Sequence, residues 1–207
     1  ACIYRYVESP CIAPTQQRLG IYKVQTTMAS AATSLAMVLV VLAALSYGLP
    51  ATRSGIDFIA RTCKKTTNPA LCVAMLSADP KSGHASTEHD LASVALQIAT
   101  NTAKKNAAII CDLGGKYQGK PEGPAWDVCV KAHVIAAAEL MIDARPSFNG
   151  GHYADALKIV SEAKGAGSTC ENAFKGIHKK SPMADMDRET MERCGVAGDL
   201  IGLLVLS

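Results

Sequence analysis

The sequence predicts an all-α fold, an up-down-up-down four-helix bundle preceded by a short N-terminal helical hairpin and stabilised by disulfides. Three observations lead there. Apolar residues recur at helical spacing in successive segments after residue 55, and no stretch of useful length alternates as a strand does. Aromatic residues make up only 5% of the chain, so Ala, Leu, Val and Ile carry the apolar content, which suits closely packed helices better than a β-sandwich. Cysteines 63, 72, 111, 129, 170 and 194 form an even set behind a secretory-type leader, the pattern of disulfides made in an oxidising compartment.

The leader is read at residues 28–54. Its apolar run from Leu35 to Leu49 is shorter than the roughly 20 residues that span a bilayer. Thr52 and Ser54 give an A-x-A-like cleavage site before Gly55, although the segment lacks the usual basic residue at its start. Residues 1–27 show no Met and no period, and are read as a non-native or untranslated upstream segment. The mature domain is then 55–207. Residues 1–53 hold four basic residues and one acid, which leaves 17 basic against 17 acidic after their removal. A neutral domain has no basic footprint for nucleic acid, and no membrane association is expected once the leader is cut.

Each element follows in order. Ile56, Ile59, Ala60 and Cys63 mark a first short helix. Asn68 caps a second, with Pro69 at its first position, where a missing N–H costs nothing, and Asp79-Pro80 ends it. Thr87 and Asp90 form a capping-box pattern at the start of a long helix whose face is Leu91, Val94, Ala95, Ile98, Thr102 and Ile109. "GGKYQGKPEGP" breaks it. Trp126, Cys129, His133, Ala136, Ala137, Leu140 and Met141 line the next helix, which is expected to stop before Arg145-Pro146. Tyr153, Ala156, Leu157 and Val160 begin a third, loosened at "KGAGSTC" before Cys170 and Phe174. The last runs from about Arg188 to Leu206 through Met191, Cys194, Ala197, Ile201 and Val205.

This topology places Cys111, Cys129, Cys170 and Cys194 at one end of the bundle, so that Cys129–Cys170 and Cys111–Cys194 are both geometrically allowed among 15 connectivities. Loop-closure entropy gives about 4 and about 4.5 kcal/mol for these two bridges, and about 2.7 kcal/mol for Cys63–Cys72.

Catalytic and metal motifs fail in detail. Gly114, Gly119 and Lys120 satisfy the start of a phosphate-binding loop, but Pro121 stands where Ser or Thr must hold magnesium, and no strand precedes it. His84, Glu88 and His89 match neither metalloprotease spacing. His133 lies on a core stripe, and no G-x-S-x-G elbow occurs. No catalytic residue, cofactor or metal is expected, and the protein is read as not an enzyme.

The combination resembles the plant family of invertase and pectin methylesterase inhibitors. Thr62, Cys63, Thr66, Pro69 and Cys72 match the family's opening signature. Cys129, Ala136 and Leu140 match its second, with His133 where tyrosine is usual, and Thr169, Cys170 and Phe174 match its third. The resemblance covers about residues 56–205. It implies a secreted domain with disulfides Cys63–Cys72 and Cys129–Cys170, acting as a reversible 1:1 inhibitor that covers the active-site cleft of a cell-wall carbohydrate enzyme. Cys111 and Cys194 are additional to the family's four, and the topology allows them a third bridge, the alternative being two buried free thiols. The partner implied is pectin methylesterase or an invertase. Invertase inhibitors present a Pro-Lys-Phe loop between the second and third long helices; "RPSFNGGHYADA" lacks it, which favours pectin methylesterase. A non-inhibitory pollen or wall interaction protein would share the same fold. The implied location is the apoplast or cell wall, or the vacuole for a vacuolar invertase target, and His84, His89 and His152 would make binding pH-sensitive.

Overall fold

The computed structural model describes residues 51–206, with side chains from residue 55 onward; residues 1–27 and nearly all of the expected leader lie outside the described residues. Helix α1 spans Ala51–Cys63, four residues longer at its start than the pattern after Gly55 indicated, and α2 spans Pro69–Ser77. Asn68 caps α2 by accepting from the Leu71 N–H at 3.1 Å, and a Cys63–Cys72 disulfide with Cα atoms 5.5 Å apart joins the pair. Two helices of this length are marginal alone, so the bridge and the bundle beneath hold them. The Asp199 carboxylate accepts from the Thr67 N–H at 2.8 Å and the Thr67 hydroxyl at 2.5 Å, and Lys65 pairs with Glu88 at 2.6 Å.

A 3₁₀ turn at Pro80–His84 leads to α3, Glu88–Leu113. Its capping box is complete: the Thr87 hydroxyl accepts from the Asp90 N–H, and the Asp90 carboxylate accepts from the Thr87 N–H. Hydrogen bonds from Ser86 and Thr87 hold the Asp90 carboxyl below its ordinary range. The buried stripe runs Leu91, Ala95, Ala99, Ala103, Ala107 and Ile110, while the expected Ile98, Thr102 and Ile109 flank it half-buried. Alanines at four-residue spacing let neighbouring helices approach, which a pattern keyed to larger side chains misplaces.

Helix α4, Gly123–Glu139, does not stop before Arg145-Pro146. It passes through a π-turn, Leu140–Ala144, into α5, Arg145–Asn149, with Pro146 directly after the wider turn. Helix α6, Tyr153–Gly176, is continuous through the glycine stretch expected to loosen it. Gly167 instead marks close contact: a Cβ there would lie 2.7 Å from the Asp187 carbonyl oxygen of α7, Ala184–Val205. The four long helices form a closed ring, each packed on its two neighbours: α3 on α4, α4 on α6, α6 on α7 and α7 on α3. No strand occurs among the described residues.

The interior divides in two. A long core of Leu, Ala and Val runs through the bundle and under the hairpin. A smaller one, with Trp126, Phe174, Met183 and the Cys129–Cys170 disulfide, closes the end carrying the α3–α4 and α6–α7 connections.

The third bridge is a correction. Cys194 is a buried free thiol, pushed up to about 12 by burial, and Cys111 is bonded, but not to Cys194. Helix register explains this. The Asn106 amide donates to the Met186 carbonyl at 3.2 Å and the Thr190 hydroxyl at 3.1 Å, so residue 106 stands level with 186–190. In antiparallel helices Cys194 is then level with about residue 100, roughly 16 Å along the axis from Cys111 at 1.5 Å per residue. A disulfide needs Cα atoms within about 7 Å. The last helix begins at Ala184, not Arg188, which puts Cys194 in its third turn.

Candidate functional site

Helices α4 and α7 bring His133 and Asp187 together in the bundle interior. Both side chains are fully buried, with His133 Nε2 2.8 Å from Asp187 Oδ1. The Ser181 hydroxyl donates to Asp187 Oδ2 at 3.2 Å and accepts from the Met183 N–H at 3.0 Å, which anchors the α6–α7 connection to the same carboxylate. Glu171 on α6 lies beside it; burial, then its contact with the Asp187 carboxylate, pushes the Glu171 carboxyl up.

These residue types suggest a catalytic triad, but their order rules one out. In a Ser-His-Asp triad the imidazole stands between nucleophile and acid. Here Asp187 stands in the middle, Ser181 contacts the acid and not His133, and the serine is 97% buried. A metal reading fails as well. His133, Cys170 and Asp187 offer ligand atoms within 4.8 Å of one another, yet the Cys170 sulfur is committed to the disulfide with Cys129 and offers no thiolate. The cluster is a polar pin joining three helices and a loop. Sequence reasoning placed His133 on the core stripe but missed Asp187. The signal was present: Met183, Asp187, Thr190, Cys194, Ala197 and Ile201 share one helical stripe, so the carboxylate was due to be buried.

The other sequence candidates stay apart. His84 and His89 are exposed, Glu88 is engaged by Lys65, and His89 stacks on Phe148 at 4.8 Å between ring centroids. His152 is exposed before α6. The glycine-rich segment at residues 114–120 follows a helix and folds as a 3₁₀ turn, Gly114–Lys116, and further turns, so the strand-to-helix cradle of a phosphate-binding loop is not formed.

On the outside, α4 and α6 flank a groove of about 480 Å³ lined by Val128, Ile135, Ala136, Glu139, Glu162 and Thr169, among others. Val128 is 41% exposed and Ile142, one turn beyond Glu139, is 49% exposed, high values for large aliphatic side chains. Burial, then the nearby Glu162 and Asp143 carboxylates, pushes the Glu139 carboxyl up. Lys131 lines the same groove, so the strip is apolar with charges of both signs along its edges.

The fold and its sites therefore define a disulfide-closed helical bundle whose buried polar groups join helices to one another. The family model for plant invertase/pectin methylesterase inhibitors matches residues 57–200. The chain belongs to that family. It is 30% identical over 145 residues to a pectinesterase inhibitor of Actinidia deliciosa, a match covering 69% of this chain and 76% of the relative. Two crystal structures share the fold. A mutant form of a pectin methylesterase inhibitor from Arabidopsis aligns with a TM-score of 0.57 at 22% identity, over 68% of this chain and 93% of that one. A pectin methylesterase inhibitor from Arabidopsis thaliana aligns with a TM-score of 0.52 at 19% identity, over 72% and 96%.

Proposed function

We propose that the chain is a secreted protein inhibitor of pectin methylesterase, forming a reversible 1:1 complex that covers the enzyme's active-site cleft in the cell wall. The observation that carries this reading is the 30% identity to a pectinesterase inhibitor along most of both chains. The α4–α6 face supports it, since helices fixed by a disulfide lose little conformational entropy on docking. The segment that would have to serve an invertase inhibitor as its loop argues the same way. Its first part, Arg145–Asn149, is helical and Phe148 is 99% buried against the core, so that aromatic is not free to enter a cleft, while residues 150–152 form a short exposed turn. Among the described residues no helix is long and apolar enough to cross a membrane.

Glu139 gives the interaction a pH sign. A partner covering that face buries the carboxyl further, raises its pKa again and favours the protonated form, so affinity falls as pH rises above the carboxylate range. The test is a parallel assay against purified pectin methylesterase, cell-wall invertase and vacuolar invertase at mildly acidic pH. Inhibition of the esterase alone is expected, weaker at neutral pH; full esterase activity in the presence of excess protein rejects this target.

A further inference from the structure

We propose that Glu171 is a proton-operated latch between α6 and α7: protonated, its carboxyl donates to Asp187 and ties the helices together, and ionised, it lets the connection between them loosen. The donors around Asp187 are few and already engaged. Asp187 Oδ1 takes His133 Nε2 at 2.8 Å, and Oδ2 takes the Ser181 hydroxyl at 3.2 Å. A hydroxyl carries one proton, so Ser181 has none to give a second carboxylate. The Glu171 carboxyl nevertheless lies within hydrogen-bonding reach of both Asp187 and Ser181, and its Oε1 is buried and receives no hydrogen bond.

Two carboxyl groups in contact hold together only when one of them keeps its proton. The donors already on Asp187 leave that proton to Glu171, whose O–H then completes the cluster. The charged groups facing Glu171 set the sign. Asp187 on α7 opposes its ionisation, Lys180 on the connection favours it, and His133 on α4 acts through Asp187. Burial, then the Asp187 carboxylate, pushes the Glu171 carboxyl up, and Ser181 and Lys180 offset this only in part. With the folded pKa raised, the latch is closed below the ordinary glutamate range and opens as pH rises through the folded value.

The repulsion on opening falls on a segment held by a short chain of bonds. Ser181 is anchored to Asp187, the Met183 N–H donates to the Ser181 hydroxyl at 3.0 Å, and the Asp187 N–H returns to the Met183 carbonyl at 2.8 Å. All three depend on where Asp187 stands. His178 already strains the same connection, with φ of 56° in the left-handed region that a side chain disfavours. Helix α6 also walls the α4–α6 groove, so the latch would reach a docked partner through that helix. The latch itself is measured on the free protein, so its failure is distinct from failure of the inhibitor reading.

Two readouts on the intact protein, taken from mildly acidic to neutral pH, test this. Carboxyl-carbon NMR should show Glu171 losing its proton above the ordinary glutamate range. Over the same interval the protection of the Met183 amide against hydrogen exchange should fall, relative to the intrinsic exchange rate at each pH. Glu171→Gln keeps a side-chain N–H donor for Asp187 at every pH. In that variant the Met183 protection should stay constant, and the thermal midpoint should exceed the parent's at neutral pH and match it in acid. The titration of the parent needs no variant, so it decides the matter even where Glu171→Gln folds poorly. Ionisation of Glu171 within the ordinary glutamate range, or Met183 protection that falls equally in Glu171→Gln, would overturn the proposal.

Discussion

Replacing Asp187 with alanine should be among the most damaging single changes in the protein. The carboxylate is fully buried and receives His133 Nε2 at 2.8 Å and the Ser181 hydroxyl at 3.2 Å. Its removal strands both partners in a site without water access, and His133 Nδ1 already has no partner. Breaking one side of a buried pair costs about 3–5 kcal/mol, a large share of the roughly 5–15 kcal/mol that holds a domain together. For a domain of this size that corresponds to a fall in Tm on the order of 10 °C. Asp187→Asn should cost less, because its amide oxygen still accepts from Ser181. His133→Ala and the double variant complete a cycle, in which the pair should show a coupling of about 1–3 kcal/mol. Urea unfolding with disulfides intact, followed by helix circular dichroism and Trp126 fluorescence, measures all four. A cost below about 1 kcal/mol for Asp187→Ala, or additivity in the cycle, would refute the account of the cluster as a polar pin.

Three further outcomes follow from single contacts. Gly167→Ala forces a Cβ to within 2.7 Å of the Asp187 carbonyl oxygen and should cost about 1–3 kcal/mol in urea unfolding by pushing α6 from α7; a neutral result would mean the helices separate freely. Cys194, pushed up to about 12 by burial, should resist alkylation in the native protein at mildly alkaline pH and react only on unfolding, as mass spectrometry of trapped thiols will show. Glu139→Gln should show a pH-dependent gain. The folded pKa of Glu139 is raised, so its contribution is intact below the ordinary glutamate range and is lost as pH rises through the folded value. The variant should therefore melt about 1 °C above the parent at neutral pH, a small effect because the group is largely solvated, and match it in acid.

Local signals were strong wherever one residue type does one job. Asn68-Pro69 and Thr87 with Asp90 specify helix starts that need no tertiary information, and both caps form. The order of helices and the family signature were legible for the same reason. Interhelical register was not. The Cys111–Cys194 expectation failed because chain order places both cysteines toward one end of the bundle but does not set how far along the axis each stands, which the contact of Asn106 with Met186 and Thr190 fixes. "KGAGSTC" read as a weak helix because glycine propensity is local, whereas the need for Gly167 comes from a backbone 20 positions away. His133 was placed on the core stripe, but its partner lies 54 residues on, and only the packed bundle brings the two together.

The π-turn at Leu140–Ala144 bears on how the chain tolerates changes of length. A π-turn is an α-helix that has absorbed one additional residue, its wider turn taking up the rotation of about 100° that an ordinary helical residue would add to the chain beyond it. Deleting one residue there would restore regular helix hydrogen bonding with no break in the chain. The same deletion would leave Phe148 facing the core beside His89, and the turn that launches α6 in place, because a π-turn and a regular turn one residue shorter rotate the chain by nearly the same angle. A change of one residue in length is thus expected to be tolerated at this point, with the side chain that must land inside kept on its face. A relative lacking the π-turn should carry its buried aromatic one position nearer in sequence to the core residues of α4.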